Sequence, residues 1–323
     1  MAERAFCRWC FTLIGNNLKT ILITGGSGFF GWNALRYFRQ LGYTVIAGAP
    51  QPQRYGEYFD VVPFQHLDVL NQQEVVELVV QCKPNYIIHA AAYSTPSACE
   101  RNPVRAQEIN VIGTGNVFGA AAAMRIPLVF LSTDLVFDGE KGGYREADET
   151  RPLTTYGRSK LQAERTLRGQ SMFNRWAIVR SSLMFGNGAA WTNAFPQFAE
   201  KALRNGEPVQ LFLDQYRTPV FVDDVVRAID TIVENELFGE VFHCGGPERM
   251  NRVEFMRRYC SFMDIPQDGI REVTMDEMPD YPTRVRDVSL NSDKLRRTTF
   301  WEPLAIEAAF REMKQQQELS GSE

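Results

Sequence analysis

Short runs of consecutive apolar residues alternate along this chain with longer stretches in which apolar positions recur every three or four residues. The first run, Thr20 to Thr24, is rich in β-branched residues and reads as a strand; glycines follow, and Trp32 to Leu41 then carries helical spacing that stops at Gly42. Tyr43 to Ala47 reads as the next strand, Val61 to Phe64 as a short one, and Gln72 to Cys82 as a helix closed by Pro84. Tyr86 to Ala90 is a predicted strand, Pro103 to Arg125 a long helix, and Pro127 to Leu131 a further strand. Strands that are apolar throughout, rather than at every second position, are covered on both faces. The pattern therefore predicts an α/β fold built on a parallel sheet with helices on either side.

A helix at Tyr156 to Arg168 and a strand at Trp176 to Arg180 continue the alternation, which then breaks up. Gly186 to Asn193 and Asp264 to Arg286 read as loops, and the polar end from Lys314 to Glu323 is expected to fray. The expected organisation is an extension over 1–18, a dinucleotide-binding domain over 19–184, and a smaller substrate-binding lobe drawn mainly from 185–323. Residues near 216–243 are expected to return to the first domain.

Composition narrows the partners. Hydrophobic residues make up 44% and charged residues 23% of the 323, a globular balance that excludes wholesale disorder. Thirty-five Lys and Arg against 39 acids give a net charge of −4, with no basic excess for nucleic acid or an anionic membrane. The six cysteines are scattered, which points to a reduced, cytoplasmic protein. Cys7 and Cys10 form a CxxC with no second pair at zinc spacing, so no metal site is expected. The apolar stretch from Trp9 to Ile14 is far shorter than the ~20 residues of a membrane span.

Chemistry enters at Gly25-Gly26-Ser27-Gly28-Phe29-Phe30-Gly31, between the first strand and the first helix. Glycines at 25, 28 and 31 allow a tight turn and a close approach of backbone to a pyrophosphate, while the helix N-terminus offers N–H donors to the anion. That is the phosphate-binding turn of a doubly wound Rossmann sheet, and Ser27, Phe29 and Phe30 belong to the same cradle. Where an NAD site usually places an acid, the second strand ends Ala47-Gly48-Ala49-Pro50. Arg54 follows and could pair with a 2′-phosphate, so NADP(H) is favoured, with NAD(H) left open. Asp68 and Val69 follow the next strand, where a carboxylate reaches either an adenine or a helix N-cap.

Tyr156 and Lys160 stand at i and i+4 on one helix face. A phenol with pKa ~10 exchanges protons poorly at neutral pH, and a nearby ammonium is expected to lower it. Ser132 and Thr133 end an apolar strand, at the edge where open α/β sheets bind ligands, and alternation lets only one of the two hydroxyls reach the site directly.

With these features together, the sequence resembles the extended short-chain dehydrogenase/reductase family over residues 19 to 310. The resemblance rests on the glycine motif, His89-Ala90-Ala91-Ala92, Asn110, Ser132-Thr133 and the YxxxK of Tyr156 and Lys160. It is greatest to the dTDP-4-dehydrorhamnose reductase branch, through Ser132 to Gly139 (STDLVFDG), Asp214-Gln215-Tyr216, Pro219, Gly239 to His243, and Arg284 through Ser289-Leu290 to Lys294-Leu295. The resemblance implies a catalytic triad of Thr133, Tyr156 and Lys160, with Asn110 ordering a water relay behind the lysine. Ala90, Ala91, Ala92, Ser132, Arg180 and Ser182 are expected at the cofactor, and Thr133 and Asp134 at the substrate. Trp191, Tyr216, Arg217 and Arg284 lie in segments expected to line the substrate pocket, where aromatic faces and cations suit a nucleotide base and a pyrophosphate. His89 is expected to be a core histidine. The activity implied is reduction of a 4-keto-6-deoxy nucleotide sugar, with a homodimer left open.

Two departures from the branch concern the sugar pocket: Leu183 and Met184 stand where an aromatic residue is usual, and Arg217 replaces a small one. A 4,6-dehydratase would need a carboxylate where Leu135 follows Thr133-Asp134. An NAD-dependent epimerase shares the triad but wants the missing acid after the second strand. A non-catalytic alternative is a regulatory subunit resembling the β subunit of methionine adenosyltransferase.

Overall fold

The computed structural model describes residues 19–51, 64–170, 172–189, 191–192, 194–278 and 284–320. Seven strands form one parallel sheet. Six of them are β1 (Thr20–Thr24), β2 (Thr44–Ala49), β3 (Phe64–His66), β4 (Tyr86–His89), β5 (Leu128–Thr133) and β6 (Trp176–Ser181). The seventh, Glu240–Cys244, lies on the outer edge of β6, so the order is Glu240–Cys244, β6, β5, β4, β1, β2, β3. Every pairing in it is parallel. Helices cover both faces, as the fully buried strands require. α1 (Phe29–Gln40) and the Val222–Glu234 helix pack together on one side, while α2 (Gln72–Cys82), Thr114–Ala123 and Thr155–Arg168 form the other layer. This is the doubly wound Rossmann-type sheet that the alternation predicts.

Several boundaries differ from the predicted ones. α1 begins at Phe29 rather than Trp32, because Gly28 is its extended N-cap and Gly31 sits inside the first turn, where its packing outweighs its poor helix propensity. The helix predicted as continuous from Pro103 to Arg125 is interrupted by a π-helical segment, Glu108–Gly113, between Pro103–Gln107 and Thr114–Ala123. β5 extends two residues beyond Leu131, so Ser132 and Thr133 are inside the strand. The third strand is Phe64–His66, and residues 61–63 of the predicted one lie outside the described residues, as do Cys7, Cys10 and the 1–18 extension.

The rest of the chain forms a cap of short pairings rather than loops alone. Ile270–Val273, inside a segment predicted as loop, runs parallel to Val209–Phe212, and Tyr216–Arg217 pairs with Met250–Asn251. The C-terminal helix runs from Ile306 to Ser320, further than the expected fraying point, because Ile306, Ala309, Phe310 and Met313 bury its apolar stripe in the main core. Among the described residues, no helix is long and apolar enough to cross a membrane.

Candidate functional site

The turn between β1 and α1 is anchored to β2 by Gly25 and Gly26, whose N–H groups donate to the Gly48 carbonyl at 2.9 and 3.2 Å. Gly25 adopts φ of +71°, and a side chain on Gly31 would strike the Gly25 carbonyl oxygen, so this approach of helix to turn requires both glycines. Beyond the turn lies a cavity of about 680 Å³ that runs along the carboxyl ends of the strands. Gly25, Ser27, Gly28, Phe29, Phe30 and Gly31 line one end of it. The first turn of α1 contains no acid, and its N–H groups have no partner further back in the helix. A cradle of this shape fits the pyrophosphate of a dinucleotide. Asp68, Val69, Ala90, Ala91 and Ala92 continue the wall, and Ser182 stands further along it. The Asp68 carboxylate accepts the Leu70 N–H at 2.9 Å, and the neighbouring helix is capped by Asn71 instead. Arg54, the residue predicted to read a 2′-phosphate, lies outside the described residues.

Thr133, Asp134, Tyr156, Lys160, Arg217 and Arg284 line the same cavity. Thr133 ends β5, and its Oγ1 donates to Asp134 Oδ1 and accepts the Leu135 N–H, both at 3.2 Å. The helix that carries Tyr156 and Lys160 is fixed at its start. Thr154 Oγ1 accepts the Gly157 N–H at 3.0 Å, and the Glu100 carboxylate accepts both the N–H and the hydroxyl of Thr155, each at 2.7 Å. Gly157 has no side chain to keep the helix off the end of β5: a Cβ there would meet the Leu135 carbonyl oxygen. The close approach brings the start of this helix to the end of β5, and Tyr156 and Thr133 line the same cavity.

Lys160 is 2% exposed, with its Nζ 3.9 Å from the centroid of the Phe130 ring. Burial lowers its pKa to about 7, against the pull of Glu164 in the other direction. The Tyr156 phenol is pushed above its ordinary value, first by burial and then by the Asp134 carboxylate. This corrects the expectation of a lowered phenol: desolvation dominates. At neutral pH the phenol therefore holds its proton and can donate it. One consequence is measurable in the cofactor-free protein. Folded Lys160 sheds its proton near pH 7 and the unfolded side chain near 10.4, so wild-type stability gains on Lys160→Met as pH rises between those values. The advantage of Lys160→Met in denaturation midpoint is expected to be greatest at pH 6 and smallest at pH 10.

Among the described residues, four predicted site residues are not in the cavity wall, and Asn110 is a fifth. Thr133 faces the cavity, so alternation turns Ser132 to the opposite face of the sheet, where its Oγ donates to Glu164 Oε1 at 2.6 Å. Arg180, level with Ser132 on β6, is buried and donates from Nε and Nη2 to the two Glu164 oxygens at 3.0 and 2.7 Å. Both are structural. Trp191 lies against the outside of the glycine turn, its Nε1 donating to the Ser27 carbonyl at 2.9 Å and its ring edge-on to Trp32. Tyr216 faces a neighbouring cleft of about 570 Å³, with the Arg249 guanidinium 3.7 Å from its ring centroid.

Asn110 spends both amide hydrogens, on the Tyr93 carbonyl at 3.1 Å and Ser159 Oγ at 2.9 Å, while its Oδ1 accepts the Tyr93 N–H at 2.8 Å. It keeps no hydrogen for a water relay. It is a positioning residue: the π-segment turns its side chain inward, where it ties the Thr155–Arg168 helix to the Tyr93 backbone. His89 is a core residue as expected, between the hydroxyls of Thr24 and Thr114 at 2.6 and 2.9 Å, and burial lowers its pKa to about 3.

The sequence reading missed Arg252 and Gln215, which also line the cavity. Asn251 and Glu254 spell a capping box, a legible helix start, but which way the first-turn arginine faces depends on the packing of the cap.

The family model described as the RmlD substrate binding domain matches residues 19–318. The chain is 30% identical over 241 residues to the probable low-salt glycan biosynthesis reductase Agl14 of Haloferax volcanii, covering 74% of this chain and 78% of that protein. To methionine adenosyltransferase 2 subunit beta of Bos taurus it is 26% identical over 261 residues, 79% of this chain and 75% of that one. To dTDP-4-dehydrorhamnose reductase of Aggregatibacter actinomycetemcomitans it is 27% identical over 281 residues, 82% and 87% of the two chains. Among solved structures, dTDP-4-dehydrorhamnose reductase from Bacillus anthracis in complex with NADP superposes with a TM-score of 0.82 at 24% identity, over 93% of this chain and 99% of that chain. With the glycine turn and the YxxxK helix both inside the matched span, the chain belongs to the RmlD substrate binding domain family, in the dTDP-4-dehydrorhamnose reductase branch of the extended short-chain dehydrogenase/reductases.

Proposed function

We propose that the protein is an NADPH-dependent reductase of a 4-keto-6-deoxy nucleotide sugar, with Tyr156 as proton donor. The observation that carries this reading is the meeting of Thr133, Tyr156 and Lys160 on the wall of the same cavity as the glycine cradle. The dinucleotide, when bound, supplies the hydride. With substrate bound, the Thr133 hydroxyl turns its one hydrogen from Asp134 to the substrate carbonyl oxygen, and the protonated phenol of Tyr156 gives that oxygen its proton. Lys160 holds the nicotinamide ribose and stabilises the phenolate left behind. Leu135 leaves no carboxylate beside Thr133-Asp134 for elimination of water, which favours simple reduction over dehydration. The test is oxidation of NADPH by the purified protein over a set of 4-keto-6-deoxy nucleotide sugars; absence of turnover on all of them would remove the reading.

Gly48 and Pro50 line the cavity where an NAD enzyme usually offers an acid, which supports NADPH over NADH. Arg54→Ala is expected to weaken NADPH by about 10–100-fold and leave NADH unchanged, the worth of one charge-assisted hydrogen bond at roughly 1.5–3 kcal/mol. Cofactor titration by fluorescence reads both numbers.

The likeness to methionine adenosyltransferase 2 subunit beta supports a second reading, a binding subunit for a larger enzyme. Tight co-purification with such an enzyme, together with no turnover on any keto sugar, would favour it.

A further inference from the structure

Arg217, Arg252 and Arg284 stand in the cavity wall, where Arg252 feels the like charges of the other two and the carboxylate of Asp134, while Arg217 feels Asp134 and Asp287. Asp134 follows Thr133 directly and is close enough to Tyr156 to raise its phenol, so the cluster adjoins the reaction centre. Two of its members already satisfy each other. Asp134 Oδ2 lies 3.5 Å from Arg217 Nε and accepts the Ser182 hydroxyl at 3.2 Å. Arg217 Nη1 is committed to the carbonyls of Tyr216 and Val285, at 2.7 and 3.3 Å.

Arg252 differs. Among the described residues no carboxylate lies within 4.0 Å of it, Asp134 acting on it only from further off, and its guanidinium carbon sits 4.8 Å from the centroid of the Phe195 ring. Burial and the like charges of Arg217 and Arg284 lower its pKa to about 9, the mark of a cation short of counter-charge. Its origin is fixed. Asn251 and Glu254 close a capping box around the helix start, with reciprocal bonds of 2.8 Å each. An arginine held in a part-buried wall without an anion is costly unless something else brings one.

We propose that Arg252 is a specificity-determining residue that binds an oxyanion of the substrate, a phosphate or a sugar carboxylate, beside the reacting carbonyl. The proposal rests on the nucleotide-sugar reading above and adds to it the residue that selects for charge. A guanidinium suits either oxyanion because its planar fork matches two oxygens at once. The departure of Arg217 from the branch pattern belongs to the same device, since it neutralises Asp134 and leaves Arg252 for the ligand.

The test compares wild type, Arg252→Met and Arg252→Lys, each saturated with NADPH, for affinity toward UDP, UDP-glucose and UDP-glucuronate and toward dTDP and dTDP-glucose, by titration calorimetry. Arg252→Met is expected to lose roughly tenfold or more in affinity, and Arg252→Lys to recover part of the loss by restoring the charge without the fork. Equal loss across the probes identifies the phosphates, and loss confined to UDP-glucuronate identifies a sugar carboxylate. The proposal is overturned if wild type and Arg252→Met bind every probe alike, or if wild type binds none. Failure here is distinct from failure of the reductase reading: turnover of a keto sugar with unchanged KM in Arg252→Met sinks the role of Arg252 alone. Arg252-dependent binding without turnover sinks the reductase alone.

Discussion

Tyr156→Phe is expected to lower kcat by about 10²–10⁴-fold, the usual contribution of a positioned general acid. The substitution is a narrow one. The phenol oxygen carries no hydrogen bond to any described residue, so Phe keeps the packing of the ring and leaves no protein group unsatisfied. Thermal stability and NADPH affinity are therefore expected to stay near those of wild type, which separates loss of chemistry from loss of fold. Lys160→Ala should behave differently: in the proposed mechanism it removes the group that serves both phenol and ribose, so cofactor affinity and kcat should fall together. Full turnover by Tyr156→Phe on an authentic substrate would refute the assignment of Tyr156. Because the phenol is raised above its ordinary value, no loss of activity up to pH 9 should trace to its deprotonation in the free enzyme.

The largest effect on stability is expected at Glu164. Its carboxylate and the Arg180 guanidinium are 0% and 1% exposed, and Glu164 also accepts the Ser132 hydroxyl. Glu164→Ala leaves a buried guanidinium unpaired, at a cost of about 3–5 kcal/mol. Removing both charges avoids that penalty, so Glu164→Met combined with Arg180→Met should be far less destabilised than Glu164→Ala. Urea denaturation midpoints of the single and double variants measure the difference, and additive losses would show that the pair is not coupled. The site should register the change as well. Glu164 is the group that raises the Lys160 pKa, so Glu164→Gln should move the Lys160 titration further below pH 7.

The strands, the glycine cradle and the helix face shared by Tyr156 and Lys160 were legible in the chain because each is a local pattern. Consecutive apolar residues, a turn that only glycine allows, and an i, i+4 spacing all carry their meaning within a few positions. The same locality explains where the reading stopped. Nothing local distinguishes Ser132 from Thr133 as the hydroxyl that faces the cavity, since pleating decides which face but not which face is wet. Arg180 was expected at the cofactor and is instead paired, buried, with Glu164, which comes from a different element. Asn110 gave no sign that it would lie in a π-segment with its side chain bonded to the Tyr93 backbone, a partner 17 residues away.

The cap shows the limit most clearly. The sequence by itself determined the parallel sheet, the place of the glycine turn and the helix face shared by Tyr156 and Lys160, for these follow from periodicity and from the conformations open to glycine. Only the tertiary structure decided which arginines reach the cavity. Arg217, Arg252 and Arg284 come from three separate segments, and which one is neutralised by Asp134 and which is left with surplus charge depends on distances between elements that no single stretch of chain encodes.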